Sequence, residues 1–263
     1  MNLLFAILLG IVQGIAEFLP ISSSGHLVIA QALLLQFSSQ SIPEWLQGMT
    51  MNVALHFGTL LSITVVYRRE LLEAIRQPRL LLQLILASIP VAIIGLGFKD
   101  TLETLFNSPL AAGCCLLVTA GILLVARRLQ SGSVPIEQLS CRSSLIIGLF
   151  QAVAILPGIS RAGSTVGAGL ICGLKGSDAA RFSFFLAIPA IGGATLLETL
   201  KVFTLGDTTG PEWQPLLAGA CVSFLVGTFS LRWLIQQLNA DRLHWFAGWC
   251  IAVGLLTIVW QLS

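Results

Sequence analysis

Twice in this chain, polar and ionisable side chains interrupt apolar sequence at a point where neither flank is long enough to cross a bilayer. The first interruption reads Gln13-Gly-Ile-Ala-Glu17-Phe-Leu-Pro20-Ile-Ser22-Ser23-Ser24-Gly25-His26. A weaker copy returns 138 residues later, with Gly10, Gln13, Ser22 and Gly25 falling on Gly148, Gln151, Ser160 and Gly163 without a gap. The copy carries Arg161 where the first has Ser23. Charged groups at membrane depth are tolerated where they face one another or water. Two such clusters at matching positions point to one shared site built from two halves, about 1–126 and 138–263, of a single integral membrane domain.

The setting follows from hydropathy. The chain is 56% hydrophobic and 10% charged, with a mean hydropathy of +0.90, which excludes an ordinary soluble domain. The net charge of +2 and the single Tyr offer nothing to a nucleic acid. Cys114, Cys115, Cys141, Cys172, Cys221 and Cys250 have no metal-like spacing, and most lie in apolar stretches as small hydrophobes.

A bilayer core of ~30 Å requires about 20 helical residues. Six stretches come close or qualify: roughly 51–67, 80–98, 109–126, 182–203, 215–236 and 244–261. Four others are too short, about 3–18 and 27–37 around the first interruption, and about 144–156 and 164–174 around the second. Short apolar segments paired about a Pro/Gly/Ser break predict re-entrant hairpins; the other reading makes each a full span with a polar interruption. The expected fold is an all-α polytopic membrane protein with an inverted-topology repeat: six transmembrane helices plus two pairs of re-entrant helices.

With hairpins, Arg68, Arg69, Arg76, Arg79, Arg127, Arg128, Arg142, Lys175, Arg181, Arg232 and Arg242 fall on one side. Lys99 and Lys201 are left on the other. Basic loops stay in the cytoplasm, so both termini are expected outside, in the periplasm or its equivalent. Three full spans separate the hairpins, which inverts the halves. Trp45 and Trp213 stand ahead of full spans on the outer side as interfacial anchors.

Gln13 and Glu17 are four apart and share a helical face. Pro20 breaks that helix, and Ser22-Ser23-Ser24-Gly25 suits the start of the next, with Ser as N-cap. Free N–H groups and the dipole at such an end favour anions. The second copy, Pro157-Gly158-Ile-Ser160-Arg161-Ala162-Gly163-Ser164-Thr165, repeats the design and adds a guanidinium suited to phosphate. Ser23 and His26, three apart, supply a hydroxyl nucleophile and a proton carrier. Glu17 either orients the imidazole or helps hold a divalent cation, Mg2+ or Ca2+, together with substrate phosphate oxygens. Glu17 and Arg161 also have a purely structural reading as each other's partner. His56 and His244 read as satisfied core histidines, and Glu198 as a minor candidate near the outer end of its span.

Glu17-Phe-Leu-Pro-Ile-Ser-Ser-Ser-Gly-His26 with Gln13 upstream, and Pro157-Gly158-Ile-Ser160-Arg161 with Thr165, resemble the two signature motifs of the bacterial undecaprenyl-diphosphate phosphatases, the bacitracin-resistance family. The likeness spans essentially the whole chain. It implies inverted repeats with paired re-entrant helices and removal of the terminal phosphate from undecaprenyl diphosphate. That reaction recycles the lipid carrier for peptidoglycan. Carried over by position, Ser23 is the nucleophile, His26 and Glu17 its catalytic partners and Arg161 the phosphate ligand; Ser22, Ser24, Ser160 and Thr165 line the site, and Gln13 joins the diphosphate-binding set. Two departures matter. Gln13 takes the uncharged option at a Glu-or-Gln position, leaving Glu17 alone among the motif acids, and Ala162 stands where the second motif usually has Ser.

The expected partners are a polyprenyl diphosphate lipid and the bilayer, with no nucleic acid and with homodimerisation left open. The rival function is a transporter or flippase of a phosphate-bearing lipid, since inverted repeats meeting at the midplane are also a transporter plan. The Ser23, His26 and Glu17 set discriminates, because transport alone needs no nucleophile.

Overall fold

The computed structural model describes residues 2–37, 49–97, 105, 108–128, 132–205, 212–239 and 242–262, apart from the side chains of 198, 201–205 and 239. Trp45 and Lys99, and the side chains of Glu198 and Lys201, lie outside the described residues. The chain is an all-α, multi-pass membrane protein. Its first pair of short helices is α1 (Asn2–Ala16) and α2 (Ser23–Phe37). There follow α3 (Met49–Val66), α4 (Arg68–Ile75), α5 (Pro78–Gly97) and α6 (Pro109–Arg128). The second short pair is α7 (Cys141–Val153) and α8 (Arg161–Ile171), ahead of α9 (Gly176–Leu205), α10 (Trp213–Asn239) and α11 (Leu243–Leu262).

Length and composition qualify five of the described helices as spans: α5, α6, most of α9 and α10, and α11. Helices α3 and α4, bent by 80° with respect to each other, pass the same test only when taken together; α3 alone has 18 residues. At 15, 15, 13 and 11 residues, helices α1, α2, α7 and α8 fall short of the ~30 Å core. Observed ends lie within a few residues of the expected ones, apart from the start of α9. That helix begins near 176, where Asp178 in its first turn complements the helix dipole.

Helix α4 was not anticipated. Its Arg68, Arg69, Glu70 and Glu73 alternate with Leu72 and Ile75, both well exposed, the make-up of a helix lying in the membrane interface. The bend pivots on buried Tyr67, whose ring meets Phe184 and Phe185 of α9. On the same side Arg181 pairs with Glu73 at 3.9 Å and Glu137 at 4.0 Å. Val134 forms an isolated bridge with Leu174.

Lipid supplies no hydrophobic drive between helices, so contact rests on small residues that let backbones close in. Helix α1 lies along α10 in this way, with Gly10 and Gly14 against Gly219, Val222 and Val226. Gly113 of α6 and Gly254 of α11 face each other similarly. Outward, Leu96 and Leu256 are more than 70% exposed, as suits the lipid-facing surface of spanning helices.

A Cβ at Gly14 would sit 2.8 Å from Val226 Cβ and 2.9 Å from Ser223 O. Gly14→Ala should therefore cost about 1–3 kcal/mol of overpacking strain and lower the unfolding midpoint in detergent. Gly121→Ala, with open space around it, should leave the midpoint unchanged.

Candidate active site

The site is built where the two breaks touch. In the first, Glu17 still belongs to the last turn of α1, its N–H bonded to Gln13 O at 2.9 Å. Pro20 cannot continue the ladder, and Ser22 takes a left-handed φ of 71°, turning the chain back into α2. Ser22 Oγ accepts from Gly25 N–H at 3.3 Å and so caps that helix. In the second break, Gly158 has φ +96° and Ser160 Oγ caps α8 by accepting from Gly163 N–H at 3.0 Å. A Cβ on Gly25 would stand 2.7 Å from Gly158 Cα, so glycine is what lets the two turns meet.

Interrupted backbone at membrane depth survives only when buried in protein and re-bonded. Thr119 of α6 does this for the second break: its Oγ1 donates to Gly158 O at 2.8 Å and accepts from Ser160 N–H at 2.9 Å. Cys250 Sγ of α11 donates to Pro20 O at 3.8 Å in the first.

Glu17 is the hub. Its side chain is 6% exposed, and its carboxylate accepts from Arg161 Nη2 at 2.7 Å, Ser23 Oγ at 2.6 Å and Gln13 Nε2 at 3.0 Å. His56 Nε2 lies 3.9 Å away. Arg161 spans the two hairpins: Nη2 holds Glu17 and Nη1 reaches Ser183 O of α9 at 3.4 Å. The edge-to-face contact of Phe18 with Phe184, centroids 5.8 Å apart, docks α9 against the first break and brings Ser183 into reach. Thr165 Oγ1 donates to Arg161 O at 2.8 Å and bonds Ser183 Oγ at 2.6 Å.

The expected pairing of Ser23 with His26 is not what the structure contains. Ser23 is the first residue of α2, and its hydroxyl turns back across the break to Glu17. The His26 ring bonds elsewhere, with Nδ1 2.8 Å from Ser22 O and Nε2 2.9 Å from Trp249 Nε1. The half-buried Ser24 hydroxyl bonds Ser22 Oγ at 3.3 Å. Ser160 and Thr165 spend their hydroxyls on the cap and on Ser183, holding Arg161 in place. At the departure from the second motif, Ala162 is buried, and Ser164 Oγ is buried without a hydrogen-bond partner.

Sequence reasoning missed four residues of this constellation: His56, Thr119, Ser183 and Trp249. For His56 a signal existed, since an ionisable group inside a span is a functional candidate by default. Thr119, Ser183 and Trp249 carry no local sign. Gln13 Oε1 is buried and has no hydrogen-bond partner. It is an oxygen of the type a hard cation takes, next to the amide nitrogen that holds Glu17, although among the described residues no group of three or more His, Cys, Asp or Glu could hold a metal.

The sequence profile of the family described as "Bacitracin resistance protein BacA" matches residues 6–256. The chain belongs to this family. Among its relatives, the undecaprenyl-diphosphatase of Rhodopirellula baltica is 42% identical over 262 residues, covering 99% of both chains. Those of Alkaliphilus metalliredigens and Carboxydothermus hydrogenoformans are 39% and 38% identical, covering 98–99% of each chain. In this BacA family member the two sequence motifs thus converge on one carboxylate–guanidinium pair.

Removing one partner of a buried ion pair strands the other, at a cost of about 3–5 kcal/mol. Glu17→Ala should therefore lower the unfolding midpoint strongly. Glu17→Gln, which keeps an acceptor for Ser23 and Arg161, should cost distinctly less in the same measurement.

Proposed function

We propose that the protein hydrolyses undecaprenyl diphosphate to undecaprenyl phosphate and inorganic phosphate, recycling the lipid carrier for cell-envelope synthesis and conferring bacitracin resistance. The observation that carries this reading is the 2.6 Å bond from Ser23 Oγ to Glu17, beside Arg161 and two helix N-termini, in a chain of the BacA family. A hydroxyl donating to a buried carboxylate is a nucleophile with its base in place, and Glu17 rather than His26 occupies that position.

In the proposed reaction the terminal phosphate enters between the breaks and draws Arg161 from Glu17. The N–H groups that open α2 and α8 share its charge. Ser23 Oγ attacks the terminal phosphorus, its proton passing to Glu17; the bridging P–O bond breaks and undecaprenyl phosphate leaves. Water then attacks the phosphoserine, giving a proton to His26 Nε2, which passes it on to bulk water; the Ser–O–P bond breaks, inorganic phosphate leaves, and Ser23 Oγ recovers its own proton from Glu17. Net, one water is consumed per diphosphate. Phosphoryl transfer relies chiefly on positioning and electrostatics, so this small set of groups suffices. A divalent cation accompanying the diphosphate would be held by Glu17 and Gln13 Oε1, where it would neutralise phosphate charge.

The same reading makes the halves an inverted repeat in the bacterial inner membrane. Packing supports it: α1 lies on α10 as its counterpart α7 lies on α5, and α6 meets its own counterpart α11. With basic residues such as Arg127, Arg128 and Arg181 on one side, the positive-inside rule turns both termini and the site to the periplasm. In a cysteine-free background, a cysteine at position 263 should react with an impermeant label on intact cells, and one at 133 should not. The opposite pattern overturns the orientation.

Phosphate release by purified protein in detergent tests the chemistry, since no membrane needs crossing there; absence of release favours transport of a phosphate-bearing lipid. Ser23→Ala should abolish release and leave lipid-diphosphate binding near wild type. Arg161→Lys keeps the charge but loses the planar fork, and should lose about 1–3 kcal/mol of transition-state stabilisation, seen as a fall in kcat/KM. Near-normal turnover in Ser23→Ala would hand the nucleophile's role to water.

A further inference from the structure

The imidazole of His26 stands at the start of α2, three residues from Ser23, yet its second ring nitrogen is claimed by a side chain from the far end of the sequence. Trp249, on α11, lies 223 positions away, and its indole Nε1 is 2.9 Å from His26 Nε2. Indole N–H can only donate. His26 Nε2 is therefore the acceptor and carries no proton. The remaining proton belongs on Nδ1, where Ser22 O waits 2.8 Å away as an acceptor. The two contacts together define one neutral tautomer. The ring planes are 12° from parallel with centroids 6.2 Å apart, so the two nitrogens meet at 2.9 Å while the ring centres stay too far apart for a face-to-face stack.

Trp249 is also 52% exposed, while the site behind it is buried. Its indole thus covers His26 at the edge of the site, on a helix whose Gly254 and Cys250 are held against α6 and the first break. A residue there that only packed against lipid would have no reason to aim its single donor at the imidazole.

We propose that Trp249 is a positioning residue for the reaction. It holds His26 in the Nδ1–H tautomer, keeps the Nε2 lone pair directed to the mouth of the site, and yields that nitrogen when the diphosphate lipid enters. This rests on the phosphatase reading above, in which Nε2 accepts the proton of the attacking water. Without the indole, Ser22 O alone would hold the proton on Nδ1, and part of the population would present N–H where a base is required.

The test joins nitrogen NMR of 15N-histidine-labelled protein in detergent with steady-state phosphate release. The His26 signal is assigned by its loss in His26→Gln, and spectra are taken at about pH 8.5, well above the ordinary His range. Wild type should show Nδ1 protonated and Nε2 unprotonated. Trp249→Phe retains the ring but removes the donor, and should shift His26 toward a mixture of tautomers. Its kcat should fall about three- to tenfold, as for one neutral hydrogen bond, with KM changed less than twofold. A wild-type His26 protonated on Nε2 overturns the proposal, and this spectrum decides it even if Trp249→Phe fails to fold. A variant with unchanged tautomer overturns it as well, whatever happens to kcat. If wild type released no phosphate, the phosphatase reading would fall while the tautomer assignment stood on its own spectrum.

Discussion

A helix that stops in the middle of a membrane leaves N–H and C=O groups with no water to receive them, and here two helices stop in the same place. Much of the molecule between the spans answers that problem. Ser22 and Ser160 cap the restarted helices, Thr119 closes the loose backbone of the second break, and Gly25 and Gly158 allow the turns to touch. Helix ends of this kind favour anions, and in the proposed function the polar cluster that interrupts the helices would be what receives the diphosphate.

Within that frame Glu17 and Arg161 do two jobs. Each makes the other tolerable at membrane depth, and the pair also sets the resting charge of the site near zero. In the proposed reaction an incoming diphosphate would not meet a bare cation; it would compete with Glu17 for the guanidinium. Displacing that contact would free the carboxylate to act on Ser23, so that arrival of substrate and readiness of the base would be coupled.

Much of this was legible in the sequence. Apolar runs of the right lengths located the spans, and Pro20, Pro157 and the serines after them located the breaks, because Pro and N-cap residues act locally. The 138-residue offset pointed to convergence of the two clusters. What escaped was the partnering across the breaks. Spacing of three suggests contact between Ser23 and His26 within one helix, but Ser23 opens its helix and Glu17 ends the preceding one, so the hydroxyl found the carboxylate across the turn. His56, Ser183 and Trp249 belong to spans whose approach to the site is decided by packing of Gly58 against Ala220 of α10, of Phe18 and of Gly254, and no period or motif records such contacts. Helix α4 was hidden because its eight residues carry equal shares of charge and apolar surface.

The ion pair joins residues 144 positions apart, and this separation bears on how the protein is made. When α1 and α2 leave the ribosome, the guanidinium that neutralises Glu17 has not yet been synthesised. Until α8 arrives, the first hairpin holds an anion with no countercharge, a poor candidate for settling at the bilayer's centre. A carboxylate that waits 144 residues for its partner thus ties the placement of the first hairpin to the synthesis of the second.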